Sequence, residues 1–129
     1  MKIKKNINFY TLGVVTAILI TGCAQQPKPL YNYGNYSDSY YSYKKNVSPE
    51  SALALEMSIK QAIDKANESQ SGRVPPGMYA NLGYLQLKAG NTSEAVGNFT
   101  KEKITYPEAS FFMDKIIKRI HDSEEKKIW

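Results

Sequence analysis

Between Pro49 and Ile120, apolar residues return every three or four positions, and the run is broken firmly at only three places: Pro75-Pro76, Gly90-Asn91 and Pro107. That period is helical, and prolines and glycines of this kind end helices. The pattern predicts a first helix from about Pro49 to about Glu68, carrying Ala52, Leu55, Ile59, Ala62, Ile63 and Ala66 on one face. Ser48-Pro49-Glu50 opens it with a capping hydroxyl, a proline in the first turn and an acid at the positive end of the dipole. A second helix is expected from about Gly77 to Ala89 with Met78, Tyr79, Leu82 and Leu85. A third, capped by Asn91 or Thr92, carries Ala95, Val96 and Phe99. A fourth follows Pro107 with Phe112, Met113, Ile116, Ile117 and Ile120. Helices this short are marginal alone and must bury their stripes against one another. The class is all-α, a small helical domain of about four helices over residues 48–121, with a polar tail at 122–129.

The pair from Tyr79 to Pro107 resembles the tetratricopeptide repeat. Tyr79, Leu82, Gly83, Gly90, Ala95, Phe99 and Pro107 stand at its spacing. Gly83 and Ala95 are small enough for two antiparallel helices to cross closely, with Leu82 and Phe99 filling the seam. Two positions depart from the pattern: Gln86 replaces a large aromatic residue and Glu102 a small one, so Glu102 is expected to weaken the far end of the seam. One such hairpin cannot cover its own apolar face. The flanking helices are therefore expected to cap it.

Residues 30–45, "LYNYGNYSDSYYSYKK", hold six of the ten tyrosines. Asn, Gly, Ser and Asp between them favour turns, and the partial alternation of Tyr31 with Tyr33 and of Tyr41 with Tyr43 suits an extended strand of chain. Residues 23–47 are thus expected to be an irregular spacer. Either it is an arm laid over the helices, its rings enlarging a small core, or it is a contact surface, with Tyr36, Tyr40 and Tyr41 meeting a partner.

At the amino terminus, Lys2, Lys4 and Lys5 precede an apolar run from Phe9 to Ile20, the form of a signal peptide and too short to span a bilayer. Leu19-Ile20-Thr21-Gly22-Cys23 resembles the lipobox of bacterial lipoproteins. The resemblance implies cleavage between Gly22 and Cys23, removal of residues 1–22, and a diacylglycerol thioether on Cys23, with further acylation by palmitate-like chains. Ala24, not aspartate, follows the cysteine, which in these proteins accompanies sorting to the outer membrane. Each buried methylene adds about 0.8 kcal/mol, so two or three chains anchor durably. The formal charge of +5 comes from 17 basic and 12 acidic residues. Losing three lysines with the signal leaves +2, which gives no reason to expect a nucleic-acid partner.

Chemistry is sparse. "GRVPPG" has prolines where a phosphate loop needs N–H groups. The single cysteine and single histidine, Cys23 and His121, form no metal or nucleophile pair. Glu56, Asp64 and Glu68 make a charged stripe, with Lys60 between them, that reads as a solvated helix face. No enzyme activity, metal, small-molecule substrate or cofactor is expected, apart from the covalent lipid.

"VPPG", "EK" followed by "YPE", and "FMD" before the last apolar stretch, together with the lipobox and the tyrosine-rich segment, resemble a family of small bacterial lipoproteins of unknown function with a tetratricopeptide-like hairpin. The resemblance implies a gene neighbour similar to the curli secretion pore. It therefore implies a role as subunit or accessory factor in an outer-membrane lipoprotein assembly; the periplasmic face is the expected location, with the cell surface as the alternative. In repeats of the kind the hairpin resembles, the first helix lines a groove. Mapped onto this sequence, that implicates Ala80, Tyr84, Leu87 and Lys88 in partner binding, with Leu87 equally able to pack beneath a neighbouring helix. The alternative is a structural or adhesive envelope protein that uses its tyrosines.

Overall fold

The computed structural model describes residues 27–127; the expected signal segment, the expected cleavage between Gly22 and Cys23 and the expected lipid site at Cys23 lie outside the described residues. Among the described residues five α-helices follow in order: α1 Tyr36–Lys45, α2 Pro49–Asp64, α3 Met78–Lys88, α4 Thr92–Thr105 and α5 Ser110–Lys127. Short 3₁₀ turns occur at Ala66–Glu68 and Pro107–Ala109, and no strand occurs among the described residues. The fold is all-α.

Helix α2 starts as its sequence directs. The Ser48 hydroxyl accepts from the Ser51 amide at 3.2 Å, and Ser51 Oγ accepts from the Ser48 amide at 3.0 Å, with Pro49 in the first turn. The helix stops at Asp64, and the Ala66–Glu68 turn occupies the rest of the expected span. Helix α3 ends in a Schellman motif. Gly90, at φ +85°, lets its own amide reach Leu87 O at 3.1 Å and the Asn91 amide reach Gln86 O at 2.8 Å. At the other extreme, α5 continues to Lys127 and takes in most of the expected polar tail.

The tyrosine-rich segment corrects the expectation of an irregular spacer. Its turn residues are spent early: Gly34, at φ +52°, donates to Asn32 Oδ1, and Tyr36 N donates to Tyr33 O. From Tyr36 the chain is helical. Tyr36, Tyr40 and Tyr43 recur at helical spacing, the Tyr36 and Tyr40 rings lie 5.7 Å apart, and Tyr43 is buried. Helix α1 packs along α2, which packs along α3.

Two apolar clusters result. Tyr43, Leu55, Ile59, Ala62, Met78, Leu82 and Leu85 join α1, α2 and α3. Ala95, Phe99, Met113 and Ile120 join α4 to α5, with Ala80 and Leu87 of α3 against them. The α3–α4 hairpin is the middle layer and the tightest contact. A Cβ on Gly83 would stand 3.0 Å from both Ala95 O and the Phe99 ring, so the helices approach as closely as glycine allows.

Glu102 does the opposite of what its charge suggested. It is 3% exposed, and its carboxylate accepts from Gly77 N at 2.8 Å and Ala80 N at 3.2 Å. Those amides open α3, whose N-cap, Gly77 at φ +84°, has no side chain to satisfy them. An anion from α4 thus caps α3 across the seam. Gln86, the other departure, accepts from Asn98 Nδ2 at 2.6 Å, a second polar tie between the same helices. Around the cap, Arg73 donates to Thr105 O at 2.7 Å and lies 4.8 Å from the Tyr106 ring centre, while the Tyr106 hydroxyl donates to Val74 O. "VPPG" and "EK…YPE" are therefore two halves of one latch.

Glu102→Ala leaves two amides without their anion and should cost about 2–3 kcal/mol in urea unfolding. Glu102→Gln, which keeps an acceptor, should lose less than half of that. Equal losses would contradict a charge-assisted cap. Tyr106 supplies a pH signature. Burial first, then hydrogen bonding to the neighbouring Tyr31 hydroxyl, pushes its pKa up to about 12, against the pull of Arg73. A raised pKa favours the protonated phenol, so this contribution to stability is complete below pH 10 and fades as pH rises through about 12. Ultraviolet titration of Tyr106→Phe should lack the last tyrosine to ionise, and its stability should fall less across that window.

Candidate functional site

Helix α3 has α1 on one side and α5 on the other, and a groove opens on each side. The larger, about 580 Å³, runs between α3 and α5 over Phe99. Ala80, Asn81, Tyr84 and Leu87 form one wall; Phe112, Met113, Ile116, Arg119, Ile120 and Ser123 form the other. The smaller, about 300 Å³, lies between α3 and α1, where Tyr84 and Lys88 face Tyr40, Tyr43, Lys44 and Val47. Tyr84, half exposed, is the ridge between them, and Lys88 Nζ sits 5.5 Å over its ring.

The four α3 positions singled out in the sequence therefore share one surface, though not one groove. Ala80 and Leu87 line the α3–α5 groove, Lys88 lines the α3–α1 groove, and Tyr84 lines both. Leu87 does two things at once: it is partly buried against the α4–α5 cluster and shows the remainder to the groove.

The three tyrosines separate. Tyr40 joins the smaller groove. Tyr36 is half-buried, packs on the core and accepts a hydrogen bond from Asn81 Nδ2 at 3.0 Å, holding α1 to α3. Burial, then the nearby Tyr40 and Tyr33 hydroxyls, raises its pKa. Tyr41 is 70% exposed and lines neither of the grooves that flank α3.

The second wall of the larger groove was missed. Phe112, 63% exposed, was read as a core residue on the fourth apolar face. No local pattern separates Phe112 from the buried positions beside it: Met113 next to it is buried, and the adjacent Ile116 and Ile117 both pack against the core.

Chemically, the larger groove is an apolar trough with Arg119, Asn81, Ser123 and the Tyr84 hydroxyl at its margins. Apolar walls with a few polar groups suit the side chains of a bound polypeptide, the polar groups setting its direction. The carboxylates lie elsewhere: Glu56 pairs with Lys60 at 2.7 Å on α2, and Asp114 pairs with Lys103 between α4 and α5. Among the described residues, no cluster of three His, Cys, Asp or Glu is arranged to hold a metal ion.

No curated protein and no solved structure matches the chain. Residues 30–116, which take in α1 through the first part of α5, match the family described as a domain of unknown function, DUF4810. That span includes the latch and most of both grooves, and the chain belongs to the DUF4810 family.

Proposed function

We propose that the protein is a lipid-anchored, non-enzymatic interaction subunit of an outer-membrane lipoprotein assembly, holding a segment of a partner in the α3–α5 groove. The observation that carries this reading is the groove itself: a trough of about 580 Å³ with a half-exposed Tyr84 on one wall and an exposed Phe112 on the other. Aromatic side chains standing in a preformed apolar concavity are the usual anchors of protein–protein contact. The tetratricopeptide-like spacing of the α3–α4 hairpin supports the same use of α3.

The anchor follows from the lipobox-like sequence ending at Cys23. Confinement to a membrane raises the local concentration of partners in the same membrane, so a groove of modest affinity suffices. The resemblance of the motifs to lipoproteins encoded beside a curli-pore-like lipoprotein makes a pore-forming complex of that type the partner of choice. The interaction is periplasmic in this reading.

A photo-cross-linking residue at Tyr84 or Phe112 should capture that partner in intact cells, and one at the equally exposed Met57 on α2, outside the groove, should not. Tyr84→Ser with Phe112→Ser should weaken the complex about thirtyfold, the loss of about 2 kcal/mol that anchor residues carry, with helical content unchanged. Capture at Met57 alone would place the contact elsewhere. For the anchor, the mature amino terminus should carry the mass of a diacylated or triacylated Cys23, and Cys23→Ser should release the protein from the membrane fraction. A free thiol at a mature Cys23 would remove the anchor from the reading.

A further inference from the structure

The tether between the lipid and the folded domain is very short. Pro29 O accepts from Gln70 N at 2.9 Å and Leu30 O from Ser71 N at 3.1 Å. Asn32 Nδ2 then reaches Lys65 O and Glu68 Oε2, both at 3.4 Å. The chain is thus bound to the domain from Pro29 onward, six positions after Cys23. Six residues reach at most about 20 Å even when fully extended. The tyrosine-rich segment, which would have provided slack, is spent on the turn and on α1.

The place where the tether joins is equally specific. Pro29 and Leu30 meet the loop between α2 and α3. That loop is latched through Arg73 and Val74 to Thr105 and Tyr106, at the end of α4 and just before α5. All of these connections lie at one end of the helical stack. The α1–α2 turn at Asn46–Ser48 and the α3–α4 turn at Ala89–Asn91 lie at the other.

That loop end carries side chains that water does not favour. Leu30 is 58% exposed, Ile104 in the last turn of α4 is 71% exposed, and Phe111 in the first turn of α5 is 73% exposed. Charged groups of both signs stand at this end: Lys115 Nζ lies 4.3 Å over the Phe111 ring, Arg73 donates to Thr105 O, and Glu68 Oε2 accepts from Asn32. Lys44, Lys45 and Lys88 stand at the other end, so the apolar side chains and not the charges distinguish the two. In the turns at the opposite end, Val47 is the one large apolar side chain so exposed among the described residues.

Resting on the lipid-anchored reading of Cys23, we infer that the loop end of the domain lies against the phospholipid surface, with Leu30, Ile104 and Phe111 in the headgroup–acyl boundary. Two independent observations agree on which end faces the bilayer: the point at which a tether of about 20 Å joins, and the location of the exposed apolar side chains Leu30, Ile104 and Phe111. Apolar groups enter the interfacial layer while lysine and arginine remain with the phosphates. The helices then stand away from the membrane, and the α3–α5 groove, which runs along them, opens sideways toward neighbours anchored in the same leaflet.

The test uses the acylated protein, purified in detergent and reconstituted into vesicles of phosphatidylethanolamine and phosphatidylglycerol containing a shallow nitroxide-labelled lipid. With Cys23 acylated, a thiol-reactive bimane reports only on an introduced cysteine. Ile104→Cys should be quenched at least threefold more than Val47→Cys, since α4 alone separates the two ends by about 20 Å. Leu30→Ser with Phe111→Ser, both exposed and so compatible with folding, should reduce quenching at Ile104→Cys by half or more. Equal quenching at both ends, or stronger quenching at Val47→Cys, overturns the orientation. Unchanged quenching in the serine double variant overturns insertion of those side chains. Mass measurement on the same sample separates the causes. An unacylated Cys23 brings down the anchored reading and this inference together, whereas an acylated Cys23 with equal quenching brings down this inference alone.

Discussion

The arrangement of this small domain depends on one buried carboxylate. Helix α3 begins at Gly77, a residue with no side chain to offer, directly after two prolines. Its first amides point into protein, where leaving them unpaired would be costly. Glu102 reaches back from α4 and accepts from two of them. The bond joins residues 25 apart in sequence, so it forms only when the α3–α4 hairpin is closed. It therefore sets the register of the two helices at one end, as the Gly83 contact with Ala95 and Phe99 sets their separation in the middle.

The same carboxylate organises what surrounds it. With the start of α3 held to α4, the loop before it runs beside the end of α4. There Arg73 covers the last carbonyl of α4 and the Tyr106 ring, and Tyr106 closes on Val74. Pro107 then turns the chain into α5, which returns along α4 and leaves the trough against α3. The groove is a consequence of this geometry. Gly83 draws α4 tightly under α3, while α5 packs mainly on α4, so the α3 and α5 faces above Phe99 remain apart.

Helix α1 solves a different problem. A lone hairpin leaves the outer face of α3 uncovered, and α2 alone covers only part of it. Tyr43 enters the cluster of Leu55, Ile59 and Leu82, and Tyr36 bonds Asn81. The tyrosines are thus largely structural on one side of α1 and open on the other, where Tyr41 stands in solvent. Using this segment as a helix also leaves no irregular spacer between Tyr36 and Lys45, where the sequence alone suggests one.

By itself the sequence determined the helical class, the helix breaks at Pro75-Pro76, Gly90 and Pro107, the capping hydroxyl that opens α2 and the close crossing at Gly83, because each is settled by residues within a few positions of one another or by a repeating period. The resemblance to the tetratricopeptide repeat, rather than any pattern in the residues themselves, pointed to Ala80, Tyr84, Leu87 and Lys88 on α3. Tertiary structure decided the rest. Read locally, Glu102 is a charge intruding on a seam; only the nearness of Gly77, 25 residues away, makes it a cap. Asn, Gly, Ser and Asp argue for an irregular chain over residues 30–45. Burial of Tyr43 and docking of Tyr36 on α2 and α3 outweigh those weak propensities. The second wall of the groove, at Phe112, Ile116 and Arg119, was undecidable from periodicity. An apolar helix face reports that something covers part of it, but which residues are covered depends on how far α5 stands from α3, and no local pattern encodes that distance.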